Sequence, residues 1–359
     1  MKYIDEYRDK DLVQKLVAQI KKKSKKPISL MEVCGGHTMS IQKFGIPYLL
    51  PDTVKLISGP GCPVCVSSNS FIDRAIAYSR LDDVIITTYG DLIRVPGSTS
   101  SLDKEKAKGA DIRIVYSILD ALTIAKSNRG KRVVFLGIGF ETTAPGSAAG
   151  ILKAQMAGLK NFFVFSSHKI MPPAMEALID EGVKIDGYIA PGHVTTITGT
   201  SIYKDIPEKF GLGCVVSGFE PVDLLTAILM LVVQIENNDP KVEIAYKRVV
   251  KPEGNVKAQE ILYEVFELRD DWWRGLGILP KSGLKIREKY QMHDAEVMVP
   301  VEVEPVKEWK GCICGEVLKG LKNPKECKLF GKVCTPANPV GACMVSNEGS
   351  CHAYYRYNK

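Results

Sequence analysis

From residue 28 to about 237 the chain alternates short apolar runs with amphipathic helical stretches, and this alternation restricts the fold more than any other feature. The runs are ISLMEV (28–33), TVKLI (53–57), DVIITT (83–88), IRIVY (112–116), RVVFLGI (132–138), NFFVFS (161–166), IDGYIA (185–190) and GCVVSG (213–218). Each has the length and β-branched content of a buried strand. Helical patterns such as FIDRAIAYSRL, ILDALTIAKS, AAGILKAQMAGL and PVDLLTAILMLVVQI separate most of them. Strands alternating with helices predict an α/β fold, with parallel sheets covered by helices through right-handed crossovers. Eight strands fit one large sheet or two smaller ones, and the turn Asn128–Arg129–Gly130–Lys131 offers a hinge between halves. This gives a first lobe over 1–130, a second over 131–240, and a connecting segment with a cysteine-rich module over 241–359.

Composition removes several function classes. A chain of 359 residues with 45% hydrophobic and 25% charged side chains suits a soluble protein of two or three domains. Its formal charge of +7 is modest. The run KKKSKK (21–26) reads as the solvated end of a helix before Pro27. No aromatics interleave with those lysines, so nucleic acid is not expected as a partner. The apolar stretch Leu224–Ile235 is too short to cross a bilayer of ~30 Å. The opening MKYIDEYRDKD is too charged for the core of a signal peptide. The expectation is a cytoplasmic chain with no membrane partner.

Ten cysteines in such a chain point to metal or redox chemistry rather than a disulfide framework. Cys34 stands alone, Cys62 and Cys65 form a C-x-x-C, and Cys214 sits in an apolar run. The other six, Cys312, Cys314, Cys327, Cys334, Cys343 and Cys351, crowd the last 48 residues among glycines and prolines. That segment has too few apolar residues for a large core, and a bound cofactor would compensate. Thiolates without a paired histidine set favour an iron–sulfur cluster, with structural zinc second. A cluster needs four thiolates. Cys312, Cys327, Cys334 and Cys351 leave fourteen, six and sixteen residues between ligands, although spacing alone does not exclude Cys314 or Cys343.

Polar signatures follow six of the strands: VCGGHT, SGPGCPVC, YGDLIRVPGS, GFETTAP, SSHKIMPP and PGHVTTITG. Ligands bind at the carboxyl ends of strands in open α/β sheets, so six such loops could build one large site. In VCGGHT, Cys34 and His37 on a flexible Gly35–Gly36 turn offer two soft ligands. The bland alternative is an inert buried cysteine beside a helix-capping Thr38. In GPGCPVC, a thiol near a helix N-terminus would favour thiolate, and redox use outweighs half a zinc site because a second C-x-x-C is missing. Thr142 and Thr143 of GFETTAP, beside Glu141, read as helix caps. PGHVTTITG lacks the lysine of a phosphate loop. His168 and His193 each follow a strand, facing the cleft or serving as hydrogen-bonded structural residues. Trp272 and Trp273 read as packing residues.

CGGHT, GPGCPVC, GFETTAP, PGHVTTITG and the cysteine-rich end occur in this order over nearly the whole chain. Together they resemble the HypD family of nickel–iron hydrogenase maturation proteins. The resemblance implies two α/β lobes around a central cleft and an irregular C-terminal module. It implies a 4Fe–4S cluster on Cys312, Cys327, Cys334 and Cys351, with Cys314 and Cys343 as extras. It also implies a redox-active maturation scaffold rather than a stand-alone enzyme, on which the Fe(CN)2CO group is assembled. A HypC-type chaperone would share the iron with Cys34, His37 would lie beside it, and cyanide would come from HypE, with HypF upstream. Cys62 and Cys65 would be the redox pair exchanging electrons with the cluster. The competing readings are a cluster-dependent thiol–disulfide reductase, which has no need of Cys34 and His37, and a zinc-stabilised nucleotide-binding enzyme.

Overall fold

The computed structural model describes residues 4–307 and 309–358, so the first three residues of the charged opening lie outside the description. All eight apolar runs form strands: β1 (Ile28–Glu32), β2 (Val54–Ser58), β3 (Val84–Thr88), β4 (Ile112–Ile114), β5 (Arg132–Gly139), β6 (Phe162–His168), β7 (Gly187–Pro191) and β8 (Gly213–Ser217). A ninth, β9 (Val242–Ile244), follows the helix Pro221–Asn237.

They divide between two parallel sheets, in the orders β2-β1-β7-β8-β9 and β4-β3-β5-β6. Strands β3, β7 and β8 are buried throughout, the signature of sheets covered on both faces. The division of the sequence at 130/131 does not follow this pairing. That turn lies between β4 and β5, inside one sheet, because β3 pairs with β5 from Val84↔Arg132 onward. The second sheet, 84–168, is instead inserted between β2 and β7 of the first, where Leu30 pairs with Gly187.

The helices form where their patterns predict them. Ile118–Ser127 starts at a capping box of Ser117 and Asp120, and Pro221–Asn237 at one of Glu220 and Asp223. Leu224, Leu225, Ile228, Leu231 and Val232 of the latter are buried, and the helix packs on β8 and on the helix Lys10–Lys23. The long apolar run is therefore a core helix, and no described helix is long and apolar enough to cross a membrane. Lys21–Lys23 end their helix on the surface.

The segment after 240 is more regular than its sequence suggests. Besides β9 it holds the helix Val256–Val265 and an antiparallel hairpin, β10 (Phe266–Trp273) and β11 (Gly277–Ile286), that packs on β6. A register shift between Arg269 and Asp271 interrupts the alternation and hides the hairpin from pattern reading. Trp273 is fully buried, with Nε1 donating to Ser282 Oγ at 2.9 Å, as a packing residue should be. The tail is built of short helices, and its last one, Ser350–Tyr357, packs on the helix Gly35–Lys43.

Candidate functional site

Cys34 leaves the carboxyl end of β1 and forms the N-cap of the helix Gly35–Lys43. Its backbone N–H donates to Glu32 Oε2 at 3.2 Å, and Thr38 Oγ1 donates to Glu32 Oε1 at 2.5 Å. Thr38 thus fixes a buried carboxyl rather than capping the helix. Burial pushes the Glu32 carboxyl up to about 8, against the hydrogen bonds it accepts. The Gly35–Gly36 pair is helical, not a flexible turn, and both glycines are required by close neighbours. A Cβ on Gly35 would lie 2.5 Å from Glu348 Cβ, and one on Gly36 would lie 2.9 Å from the Phe219 ring.

The C-x-x-C loop lies directly against Cys34. A Cβ on Gly61 would meet the Cys34 backbone N at 2.2 Å, and Gly35 N–H donates to Gly61 O at 3.0 Å. Cys62 caps the four-residue helix Pro63–Val66, its sulfur accepting from Cys65 N–H at 3.3 Å. The longer helix beyond, Asn69–Ser79, is capped by Ser68. Neither cysteine is at the start of a long helix, and at Cys65 burial opposes the thiolate expected of one of the pair. Burial, followed by the neighbouring Cys62 thiol, pushes Cys65 well above its ordinary value. Cys34 is likewise pushed up to about 12, first by burial and then by the Glu348 carboxylate.

His37 is buried, and its Nε2–H donates to the Ser217 carbonyl at 3.2 Å. A carbonyl only accepts, so Nδ1 carries the lone pair, and it has no partner among the described residues. Burial holds this imidazole neutral, down to about 4. Phe219 stacks on His193 at 4.1 Å and lies 4.8 Å from His37. His168 is not at the cavity. It is buried between Ser147 Oγ and Ser166 Oγ, both at 3.0 Å, as a structural residue.

All six loops line one cavity of about 490 Å³ between the two sheets. They contribute, among others, Cys34, Val64, Tyr89, Thr142, Met171 and His193, and the tail adds Ser346 and Glu348. The threonines of GFETTAP do not cap. Thr143 Oγ1 donates back to the Ile138 carbonyl at 3.2 Å. Glu141 is buried, with one oxygen accepting from Met171 N–H at 3.0 Å and the other unpartnered among the described residues.

In the tail, all six cysteines line one small cavity with Leu329, Phe330 and Met344: the free thiols of Cys312, Cys327, Cys334 and Cys351, and the pair Cys314 and Cys343. Burial and mutual proximity raise the thiols of Cys312 and Cys351. Val340 N–H donates to Cys334 Sγ at 3.3 Å, and a Cβ on Gly341 would lie 2.6 Å from Cys312 Sγ and fill the cradle. Four soft sulfurs in an apolar, acid-free pocket with an amide N–H donor fit an iron–sulfur cluster. Among the described residues no three His, Cys, Asp or Glu converge as a site for a single metal ion. Cys314 and Cys343 are not bystanders: they pair as a disulfide, with Cα atoms 6.4 Å apart. Both short helices that carry them pack on Pro63–Val66.

One residue that joins the two thiol regions carries no signal in the sequence. Arg274, in the turn between β10 and β11, donates from Nε to Cys65 O and from Nη2 to Ser67 O and Asn69 Oδ1, at 2.8–3.0 Å. Its backbone N–H donates to Val66 O. A short helix leaves its carbonyls open, and a single arginine satisfies those after Cys65. Glu348 and Phe219 are likewise brought in from segments remote in sequence. Phe219 stands in GFEPVD, whose first three residues also open GFETTAP, a likeness too short to establish a repeat.

Two parallel sheets meeting at a cavity that Cys34 lines, to which the tail contributes Ser346 and Glu348, define a cysteine-rich α/β protein. The sequence model of HypD, described as "Hydrogenase formation hypA family", matches residues 11–358. The chain is 47% identical to hydrogenase maturation factor HypD2 of Bradyrhizobium diazoefficiens, over 100% of this chain and 97% of the relative. It is 46% identical to HypD of Azotobacter vinelandii (100% and 97% covered) and 44% identical to HypD of Cupriavidus necator (100% and 98%). The chain belongs to the HypD family of hydrogenase maturation factors.

Proposed function

We propose that this chain is a scaffold and electron-transfer protein for assembly of the Fe(CN)2CO group of nickel–iron hydrogenases. It holds the iron substrate together with a HypC-type chaperone while cyanide is delivered from HypE. The observation that carries this reading is the backbone contact between Cys34 and Gly61, which sets the lone thiol beside the C-x-x-C loop: Cys34, Gly61, Pro63 and Val64 line the cavity, while Cys62 and Cys65 themselves are buried. A stand-alone reductase would have no use for that juxtaposition.

The chemistry divides among the residues as follows. Cys34 ligates the iron substrate through its sulfur once its proton is displaced, since burial keeps the free thiol protonated. His37, with Nε2–H committed to Ser217, keeps Nδ1 available to ligate or to accept a proton. Releasing cyanide from a thiocyanate takes two electrons and one proton, giving a thiol and a cyanide ion. The Cys62 and Cys65 thiols supply both electrons by closing a disulfide, which gives up two protons and leaves one in net excess. Cys312, Cys327, Cys334 and Cys351 are the residues that would hold a 4Fe–4S cluster, and such a cluster supplies electrons singly. Cys314 and Cys343, packed against the C-x-x-C helix, offer a further dithiol between tail and cavity.

The test is infrared spectroscopy of the chain co-purified without air with a HypC-type partner. Cys34→Ala should keep the fold and the iron and sulfide of the tail but lose the bands of bound cyanide and carbon monoxide. Bands at full strength in that variant would move the iron elsewhere, with Cys62 or Cys65 the next candidates.

A further inference from the structure

We propose that the lysine-bearing face of the tail is the docking surface for a small acidic one-electron carrier protein. The inference rests on the electron-transfer role proposed above. Between residues 307 and 334 the sequence holds seven lysines against three glutamates, so a short segment carries +4 of the chain's formal +7. The charge is arranged around the tail thiols. Lys310 lies two residues before Cys312, Lys328 directly after Cys327, and Lys332 two residues before Cys334, and all three lysines are exposed.

Their neighbours are already engaged. Lys319 pairs with Glu181 at 2.6 Å and Lys322 with Glu326 at 3.3 Å, while Lys325 Nζ donates to Asn358 Oδ1. Lys310, Lys328 and Lys332 make no ion pair with a described residue. Between them Val333 is 56% exposed, and Cys327 is only half-buried, so a sulfur of the tail site lies close to solvent. Three exposed lysines without a described ion-pair partner, each next to or two residues from a tail cysteine, together with an apolar tip and a shallow thiol suit a brief, electrostatically steered encounter. Redox partners meet through small interfaces of this kind, and facing charges raise the rate of approach.

The chemistry of the cavity calls for such a partner. Once the Cys62 and Cys65 thiols have closed a disulfide, restoring them takes two electrons and two protons. Each carrier molecule gives one electron, so two encounters oxidise two carriers, and two protons from solvent complete the two thiols. Nucleic acid is the weaker match for these lysines. Of the nearby aromatics, Phe330 and Tyr355 face each other edge-on at 6.2 Å, which leaves Trp309, 49% exposed beside Lys310, as the face a base could stack on, where single-stranded binding uses several.

The experiment uses the full chain, oxidised at Cys62–Cys65 and assayed for iron and sulfide, with a reduced acidic two-iron ferredoxin as probe. Thiols regained are counted by alkylation and mass spectrometry. The rate should fall at least tenfold between low and high salt. It should fall at least tenfold at low salt in Lys328→Glu/Lys332→Glu. Lys160→Glu, at the amino end of β6, should match the wild type. Photoreduced deazaflavin, which is small and needs no docking face, should restore the thiols equally in all three proteins. A double variant reduced by ferredoxin at the wild-type rate overturns the proposal. So does a variant that loses binding to a single-stranded RNA oligonucleotide yet keeps its ferredoxin rate, since the patch then belongs to nucleic acid. A preparation without iron and sulfide refutes instead the electron-transfer reading beneath it.

Discussion

Glu141→Gln isolates one buried carboxyl between the cavity residues Phe140 and Thr142. Burial raises the Glu141 carboxyl from 4.5 to about 7, because only one of its oxygens has a donor, the Met171 N–H. An acid raised in the folded state holds its proton there at pH values where the unfolded chain has released it. Stability is therefore fully present below pH 4.5 and is lost as pH rises through about 7. At about 1.4 kcal/mol per pH unit, that interval amounts to roughly 3 kcal/mol from this one side chain. Glutamine keeps the shape and removes the titration. Urea unfolding of wild type and variant at pH 5, 6, 7 and 8 would measure the effect, with all other groups cancelling in the difference. The variant should gain on the wild type by about 3 kcal/mol between pH 5 and 8, with nearly all of the gain below pH 7.5. A difference that stays flat across this range would refute the claim that the carboxyl is buried without a second partner.

Other changes have equally definite outcomes. Gly61→Ala drives a methyl group into the Cys34 backbone. It should cost about 1–3 kcal/mol, read by thermal unfolding, and should abolish hydrogenase maturation even though no thiol is altered. Arg274→Gln leaves carbonyls after Cys65 without donors. A loss of about 1–3 kcal/mol per buried group should accompany faster alkylation of Cys65, and an unchanged alkylation rate would remove Arg274 from the account. Replacing Cys312, Cys327, Cys334 or Cys351 singly by alanine should release iron and sulfide, whereas Cys343→Ala should retain both and expose one new thiol, at Cys314, to alkylation. A colourless Cys343→Ala protein beside a brown Cys312→Ala protein would reverse the ligand assignment.

The sequence carried the strands and helices because each is a local pattern: β-branched runs bounded by turns, and apolar faces at helical spacing. It did not carry the pairing of Leu30 with Gly187, which depends on which strand edges find each other after more than half the chain has been made. That is why a boundary at 130/131 looked natural and fell inside a sheet. Cys34, Cys62 and Cys65 were legible as candidates because their thiols stand in the glycine-bearing phrases CGGHT and GPGCPVC after strands. Arg274, Glu348 and Phe219 were not, since their roles come from distant backbone and from cavity geometry rather than from neighbours in sequence. The thiolate expected of one C-x-x-C cysteine is opposed at Cys65 for a related reason: helix-end electrostatics are local, while the burial that outweighs them there is set by the whole fold. Pairing of Cys314 with Cys343 was equally hidden, because six cysteines in a loop-rich tail permit many connections.

The insertion of one sheet within the other also sets an order of events on the ribosome. Strands β3 to β6 are contiguous from Val84 to His168 and can pair as soon as they emerge. The β1–β2 pair must wait for β7, β8 and β9, and the sheet is complete only at Ile244, beyond Ser217, the residue whose carbonyl also orients His37. Domains fold as units during synthesis, so the younger part of the chain closes around an older parallel strand pair that leads into Cys34. The thiol therefore stays outside its finished pocket until two-thirds of the protein exists, and the tail that packs against Gly35 arrives last. Timing is thereby written into connectivity: the surroundings of Cys34 are complete only once Glu348 has reached Gly35.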